Sequence, residues 1–117
     1  MIPNNLLIFD THCHLADQKY QGQDITKIIQ QAREKNVKSI LNVGYNQLAN
    51  SKVIEQIKKH SSLFGALGLH PNDGNQDFQE ENLTWIEKQL SNQKIIAIGE
   101  IGLDYYRDFT PPETQKY

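Results

Sequence analysis

Four short apolar runs, at residues 6–9, 37–43, 63–69 and 94–98, recur along the 117-residue chain with helix-length segments between them. Each run is rich in Ile, Val, Leu or Phe and ends in Gly, Asp, His or Glu, as strands buried in a parallel sheet do. The intervening segments carry helical spacing: Ile25, Ile28, Ile29 and Ala32 fall at i, i+3, i+4 and i+7, Val53, Ile54 and Ile57 give a shorter stripe, and Leu83, Ile86 and Leu90 repeat at i, i+3 and i+7. Asp24, Asn46 and Asn82 are placed to cap these helices. The order is therefore β-α-β-α-β-α-β, with Pro111, Pro112 and Glu113 opening a fourth helix. Strict βα alternation leaves two α/β architectures, a doubly wound open sheet or part of a barrel.

A dinucleotide-binding sheet carries G-x-G-x-x-G after its first strand, and here that position reads Asp10-Thr11-His12-Cys13-His14. That fingerprint is absent. The single cysteine, Cys13, excludes an internal disulfide framework and fits a reducing compartment. Leu6-Leu7-Ile8-Phe9 is too short for a signal-peptide core or a membrane span, so the expectation is a soluble cytoplasmic chain with no membrane partner. Twelve Lys and Arg against fourteen Asp and Glu, net −2, lack the basic excess of a protein that grips nucleic acid by charge alone. A phosphate substrate would need another source of positive charge.

Three strand ends carry the chemistry. On an extended chain Asp10, His12 and His14 share one face while Thr11 and Cys13 take the other. Two imidazoles so placed suit a metal site, with the carboxylate orienting one ring, or serve as hydrogen-bonding groups in a turn. In Gly68-Leu69-His70-Pro71 the proline ends the strand and leaves His70 at the mouth of the same face, either facing substrate or as a plain turn histidine. Glu100 ends a strongly apolar strand, where an unpaired carboxylate is costly. Its partner is either Arg107 or a metal shared with His12 and His14. Tyr105-Tyr106-Arg107-Asp108 adds aromatic surface and a guanidinium suited to phosphate. Cys13 reads as a buried thiol, Trp85 as core, His60 as a helix C-terminus, and the acidic stretch at 73–87 as a solvated helix face.

Asp-Thr-His-Cys-His-Leu at 10–15, Asn-Val-Gly at 42–44, Gly-Leu-His-Pro at 68–71 and Ala-Ile-Gly-Glu-Ile-Gly-Leu-Asp-Tyr at 97–105 resemble the TatD family of metal-dependent hydrolases, often described as deoxyribonucleases. Thr110-Pro111-Pro112-Glu113-Thr114-Gln115 resembles the family's next segment. The resemblance implies a TIM-barrel fold, a site for two divalent ions (Mg, Mn or Zn) and DNA as substrate. By the same resemblance His12 and His14 bind one ion, Glu100 bridges it to a second as the catalytic carboxylate, and His70 and Arg107 lie where substrate phosphate or solvent approaches. The family's further ligands, two histidines and an aspartate, fall beyond residue 117. Residues 1–117 are thus expected to form about four βα units, the N-terminal half of a (β/α)8 barrel, a partial domain truncated before the C-terminal half. Three functions follow as expectations: an impaired divalent-metal phosphodiesterase acting on DNA ends or single strands, a hydrolase of another ester or amide, or a silent half-barrel that associates with itself or with a complementing chain through open sheet edges.

Overall fold

The computed structural model of the chain describes residue 3, residues 5–73 and residues 77–116. Four strands, β1 (Ile8–Cys13), β2 (Val37–Val43), β3 (Leu63–Leu67) and β4 (Ile95–Ile98), form one sheet in the order β1-β2-β3-β4. All three pairings are parallel, with Asp10 opposite Ile40, Val43 opposite Ala66 and Leu67 opposite Ile98. The crossovers are α1 (Ile25–Glu34), α2 (Gln47–Lys59) and α3 (Glu80–Gln89), and a short α4 (Pro112–Gln115) follows β4.

Strand limits differ from the hydrophobic runs, most of all at the ends of β1 and β3 that lead into the polar motifs. β1 runs through Asp10, Thr11 and His12 instead of stopping at Phe9, because pairing with β2 continues past the apolar residues. A register irregularity between Asp10 and Cys13 accompanies this polar extension. β3 stops at Leu67, two residues short of the apolar run, and β4 starts at Ile95.

The caps follow local chemistry. Asp24 accepts from the Thr26 N–H and Asn46 from the Ala49 N–H, each satisfying a donor that the first helical turn leaves free. Asn82 is not a cap: α3 begins two residues earlier, after Gln79, and the Asn82 amide donates to the Asp77 carbonyl. His60 is the C-cap of α2, as its position predicted.

The core lies between the sheet and its helices. Val53, Ile54 and Ile57 of α2 pack with Ile40, Leu63 and Leu67 of the sheet, with Ile25 and Ile86 closing the flanks. Each such side chain removed from water contributes about 1.5–3 kcal/mol. Gly65 on β3 leaves room for side chains of both α2 and β4: a Cβ there would stand 2.9 Å from Val53 and 2.7 Å from Ile95. The third helical stripe is only partly used, since Ile86 is buried while Leu83 and Leu90 are exposed. Trp85 and Cys13 pack against the core, and burial pushes the Cys13 thiol pKa up. Glu80, Glu81 and Glu87 are exposed, whereas positions 74–76 of the acidic stretch lie outside the described residues.

A radius of gyration of 15.5 Å exceeds the about 13 Å of a compact domain of similar length. The sheet is open: Ile96 and Ile98 on its last strand and Phe9 on its first remain half exposed. Among the described residues no helix is long and apolar enough to cross a membrane.

Candidate metal centre

His12 lies on β1, His14 just past it, His70 three residues past β3 and Glu100 two residues past β4. All four therefore stand at the C-terminal ends of parallel strands, where the chain leaves the sheet and side chains are free to converge. The His12 and His14 Nε2 atoms are 3.1 Å apart. Glu100 Oε2 lies 3.7 Å from His12 Nε2 and 3.6 Å from His14 Nε2, while Oε1 lies 3.7 Å from His70 Nε2. The shared face predicted for His12 and His14 is thus observed, and Glu100 joins it from three strands away.

The donor set fits a divalent ion. Two ligand atoms on a tetrahedral centre with bonds of about 2.1 Å stand about 3.4 Å apart. The nitrogen and oxygen atoms of His12, His14 and Glu100 bracket that spacing and all fall within 4.8 Å of one another.

Backbone hydrogen bonds assign the ring protons. His14 Nδ1 lies 2.9 Å from the Val43 carbonyl, which only accepts, so Nδ1 carries the hydrogen and neutral Nε2 offers its lone pair to the centre. His70 has the opposite tautomer. Its Nδ1 accepts from the Asn72 N–H at 3.1 Å, so Nε2 carries the hydrogen and faces Glu100 as a donor.

One stretch of chain organises these groups. The Asn42 side chain accepts from the Leu15 N–H, the Val43 carbonyl holds His14, the Gly44 carbonyl accepts from the Glu100 N–H at 2.9 Å, and the Tyr45 carbonyl accepts from the His70 N–H at 2.7 Å. Four successive residues at the end of β2 thus fix three arms of the site: Asn42 and Val43 the one at His14 and Leu15, Gly44 the one at Glu100 and Tyr45 the one at His70. Asn42 is itself held by Gln56, whose amide returns to the Leu15 carbonyl, closing a buried ring of three hydrogen bonds. Asn50 accepts from the Gly68 N–H and donates to the Gly68 carbonyl. A Cβ on Gly68 would stand 2.5 Å from the Gly99 carbonyl carbon, so only glycine lets β3 and the Glu100 backbone approach this closely.

Two readings of the sequence, Asp10 as the group that orients a ring and Arg107 as one of two possible partners of Glu100, do not match the geometry. Asp10 does not orient a ring: its carboxylate accepts from the His12 backbone N–H, and Val43 takes the orienting role. Arg107 is not the partner of Glu100. Its guanidinium lies 3.5 Å from Asp104, on an exposed turn that the Asp104 carboxylate organises by accepting from the Tyr106 and Arg107 N–H groups. The Asn72 side chain and these bonds hold the Asp104 pKa below its ordinary value.

The surroundings have their own electrostatics. Tyr45 packs edge-on against the His14 ring and donates to Asp17 at 3.2 Å. Burial and the Asp17 charge push the Tyr45 pKa up, while the Lys19 N–H and this hydroxyl hold Asp17 low. Asp73, beyond His70, is raised by burial against the opposing pull of the Asn46 side chain. An apolar cleft of about 310 Å³ along β3 and α3, lined by Leu67, Phe78, Ile86 and Ile98, includes none of these polar groups.

The chain is similar in sequence and fold to known proteins. The chain is 36% identical over 110 residues to an uncharacterized metal-dependent hydrolase, YabD, of Bacillus subtilis, covering 94% of this chain and 42% of that protein. It is 29% identical to the 3'-5' ssDNA/RNA exonuclease TatD of Erwinia tasmaniensis, again over 94% of this chain and 42% of the relative. Among solved structures, a TatD-family hydrolase from Entamoeba histolytica superposes with a TM-score of 0.80 at 32% identity, covering 94% of this chain and 42% of that one. The TatD homologue YJJV of Escherichia coli gives 0.79 at 29% identity, covering 92% and 42%. The chain thus spans less than half the length of the relatives it matches, and its four βα units are the N-terminal half of their (β/α)8 barrel. The family profile described as TatD related DNase extends over residues 9–117, through every strand end that builds the centre, and the chain belongs to that family of metal-dependent hydrolases.

Proposed function

We propose that the chain supplies the first part of a divalent-metal phosphodiesterase site acting on DNA, with His12, His14 and Glu100 as ligands. The convergence of these three residues from β1 and β4 carries the reading. A bound divalent ion supplies a water of lowered pKa and neutralises charge developing on the phosphoryl oxygens. It also provides the positive charge that a net charge of −2 lacks.

The chain's own groups then have distinct tasks. His14, fixed by Val43, presents a bare Nε2 as ligand; His70, fixed by Asn72, presents an N–H to a phosphate oxygen. Glu100 lies between the imidazoles and, in this reading, would be the carboxylate that accepts a proton from water. Arg107, on the exposed turn beyond Glu100, is the guanidinium available to a second phosphate. The exonuclease name of the TatD relative favours single-stranded DNA as the first substrate to test.

The test is incubation of the chain with end-labelled single-stranded DNA and Mg²⁺, Mn²⁺ or Zn²⁺. Hydrolysis above that of a His12→Ala, Glu100→Ala double variant is expected; equal rates remove the reading for this chain. A second reading, association with another copy or a complementing chain, is favoured by the half-exposed Ile96 and Ile98 on an edge strand. Sedimentation showing a stable monomer at micromolar concentration would remove it.

A further inference from the structure

The β2–β3 ladder ends one rung earlier than its geometry allows. Gly44 N–H donates to the Ala66 carbonyl at 2.9 Å, and in a parallel ladder the next bond would run from Gly68 N–H to the Gly44 carbonyl. It does not. Gly68 N–H is taken by Asn50 Oδ1 at 3.2 Å, and Asn50 Nδ2 returns to the Gly68 carbonyl at 2.8 Å. The Gly44 carbonyl instead accepts from the Glu100 N–H, reaching past β3 from the end of β4.

We propose that Asn50 on α2 is a positioning residue for Glu100: its amide stands in for a strand, occupies both polar groups of Gly68, and so releases the Gly44 carbonyl to hold the Glu100 backbone. Asn50 is fully buried, so its amide has no competing water. A Cβ on Gly44 would run into the Asn50 amide oxygen, and a Cβ on Gly68 would stand 2.7 Å from the Glu100 nitrogen. Both glycines are therefore spaces that the substituted pairing needs. The Asn50 amide puts its donor and its acceptor on separate atoms, one for each polar group of Gly68, whereas a purely apolar side chain offers neither.

The effect on metal binding rests on the reading of Glu100 as a ligand; the exchange of hydrogen bonds does not. The test uses the isotopically labelled, metal-free chain and through-hydrogen-bond NMR couplings. In the wild type, correlations are expected from Gly68 N to Asn50 Cγ and from Glu100 N to the Gly44 carbonyl carbon. In Asn50→Ala the second should be replaced by one from Gly68 N to Gly44. Glu100 amide exchange should then quicken by about 10-fold or more, while that of Gly44 and Ile40 changes less than about twofold.

A Gly68-to-Gly44 correlation in the wild type, survival of the Glu100-to-Gly44 correlation in Asn50→Ala, or an equal loss of protection at all amides overturns the proposal. Asn50→Ser, which leaves a smaller void, is measured alongside; should neither variant fold, the wild-type correlations decide. Titration with Zn²⁺ alone should show affinity lower by about 10–100-fold in the variants, as for other groups that orient ligands. An unchanged Zn²⁺ affinity with the Glu100 bond lost would support the role of Asn50 and remove Glu100 from the centre.

Discussion

Replacing Gln56 by methionine tests whether a buried side chain of α2 holds in place the segment that follows β1 and carries His14. Gln56 Nε2 donates to the Leu15 carbonyl at 3.1 Å and Oε1 accepts from Asn42 Nδ2 at 2.7 Å. Methionine keeps the length and volume but removes both bonds, leaving the Leu15 carbonyl and one Asn42 N–H buried without partners. Each such orphan costs about 1–3 kcal/mol, and easier burial of the thioether offsets part of the sum. A loss of about 2–5 kcal/mol is expected, a large share of the 5–15 kcal/mol typical of a domain. Urea unfolding followed by circular dichroism should show the midpoint fall by roughly 1–3 M with little change in slope. Gln23→Met is the control: Gln23 is exposed and its side-chain amide donates to the Lys19 carbonyl at the surface, so its effect should stay within about 0.5 kcal/mol. A Gln56→Met loss below about 1 kcal/mol would refute the reasoning, because it would mean that the buried ring exchanges freely with water.

Three further outcomes follow from the same contacts. Gly68→Ala should cost about 1–3 kcal/mol by overpacking, since its Cβ meets backbone of Gly99 and Glu100 that cannot rotate away, and chemical unfolding measures this directly. Zn²⁺ at 100 times its dissociation constant should stabilise the chain by about 2.7 kcal/mol, a rise in thermal midpoint that excess chelator reverses and that is missing in His12→Ala. Asp17 and Asp104 are held below the ordinary 3.8, Asp17 chiefly by the Lys19 N–H and Asp104 chiefly by the Asn72 side chain. A depressed carboxylate adds stability that is complete above its unfolded value and is lost as pH falls through its folded value. The thermal midpoint should therefore drop as pH falls below 3.8, and Asp17→Asn with Asp104→Asn should flatten that drop.

The groups that face the centre were legible because each lies within five residues of the end of an apolar run: His12 and His14 after residues 6–9, His70 after 63–69, Glu100 after 94–98. The groups that hold them were not, although a signal existed. Val53, Ile54 and Ile57 complete an i+3, i+4, i+7 stripe whose first position is Asn50, and Asn42 shares a β2 face with the buried Ile40. An amide on a core stripe must have its partners inside the protein. The pairing itself was beyond reach, because Asn50 meets Gly68 and Gln56 meets Leu15 only once the sheet order is known. The misplaced cap has a similar cause: Asn82 has the right chemistry, but the helix begins where the chain arriving from β3 permits it.

The supports of the centre share one electrostatic property. Val43, Gly44 and Tyr45 act through carbonyls, Asn72 through its N–H, and Asn42, Asn50 and Gln56 through amides. All are neutral dipoles, which is what burial at 0% exposure demands of Asn42 and Asn50, since an unpaired charge there would cost several kcal/mol. It also means that none of these supports adds negative charge beside the ion. Arg107, the nearest guanidinium along the chain, lies 3.5 Å from Asp104 on the exposed turn and is not paired with Glu100, so in the proposed site Glu100 is the formal charge among the four converging side chains. Counted over these four side chains alone, one carboxylate against a divalent ion would leave net positive charge on the exposed strand ends, where the proposed phosphate would arrive. A second carboxylate in place of any supporting amide would cancel that excess, so neutral scaffolding and phosphate attraction are one requirement met by the same residues.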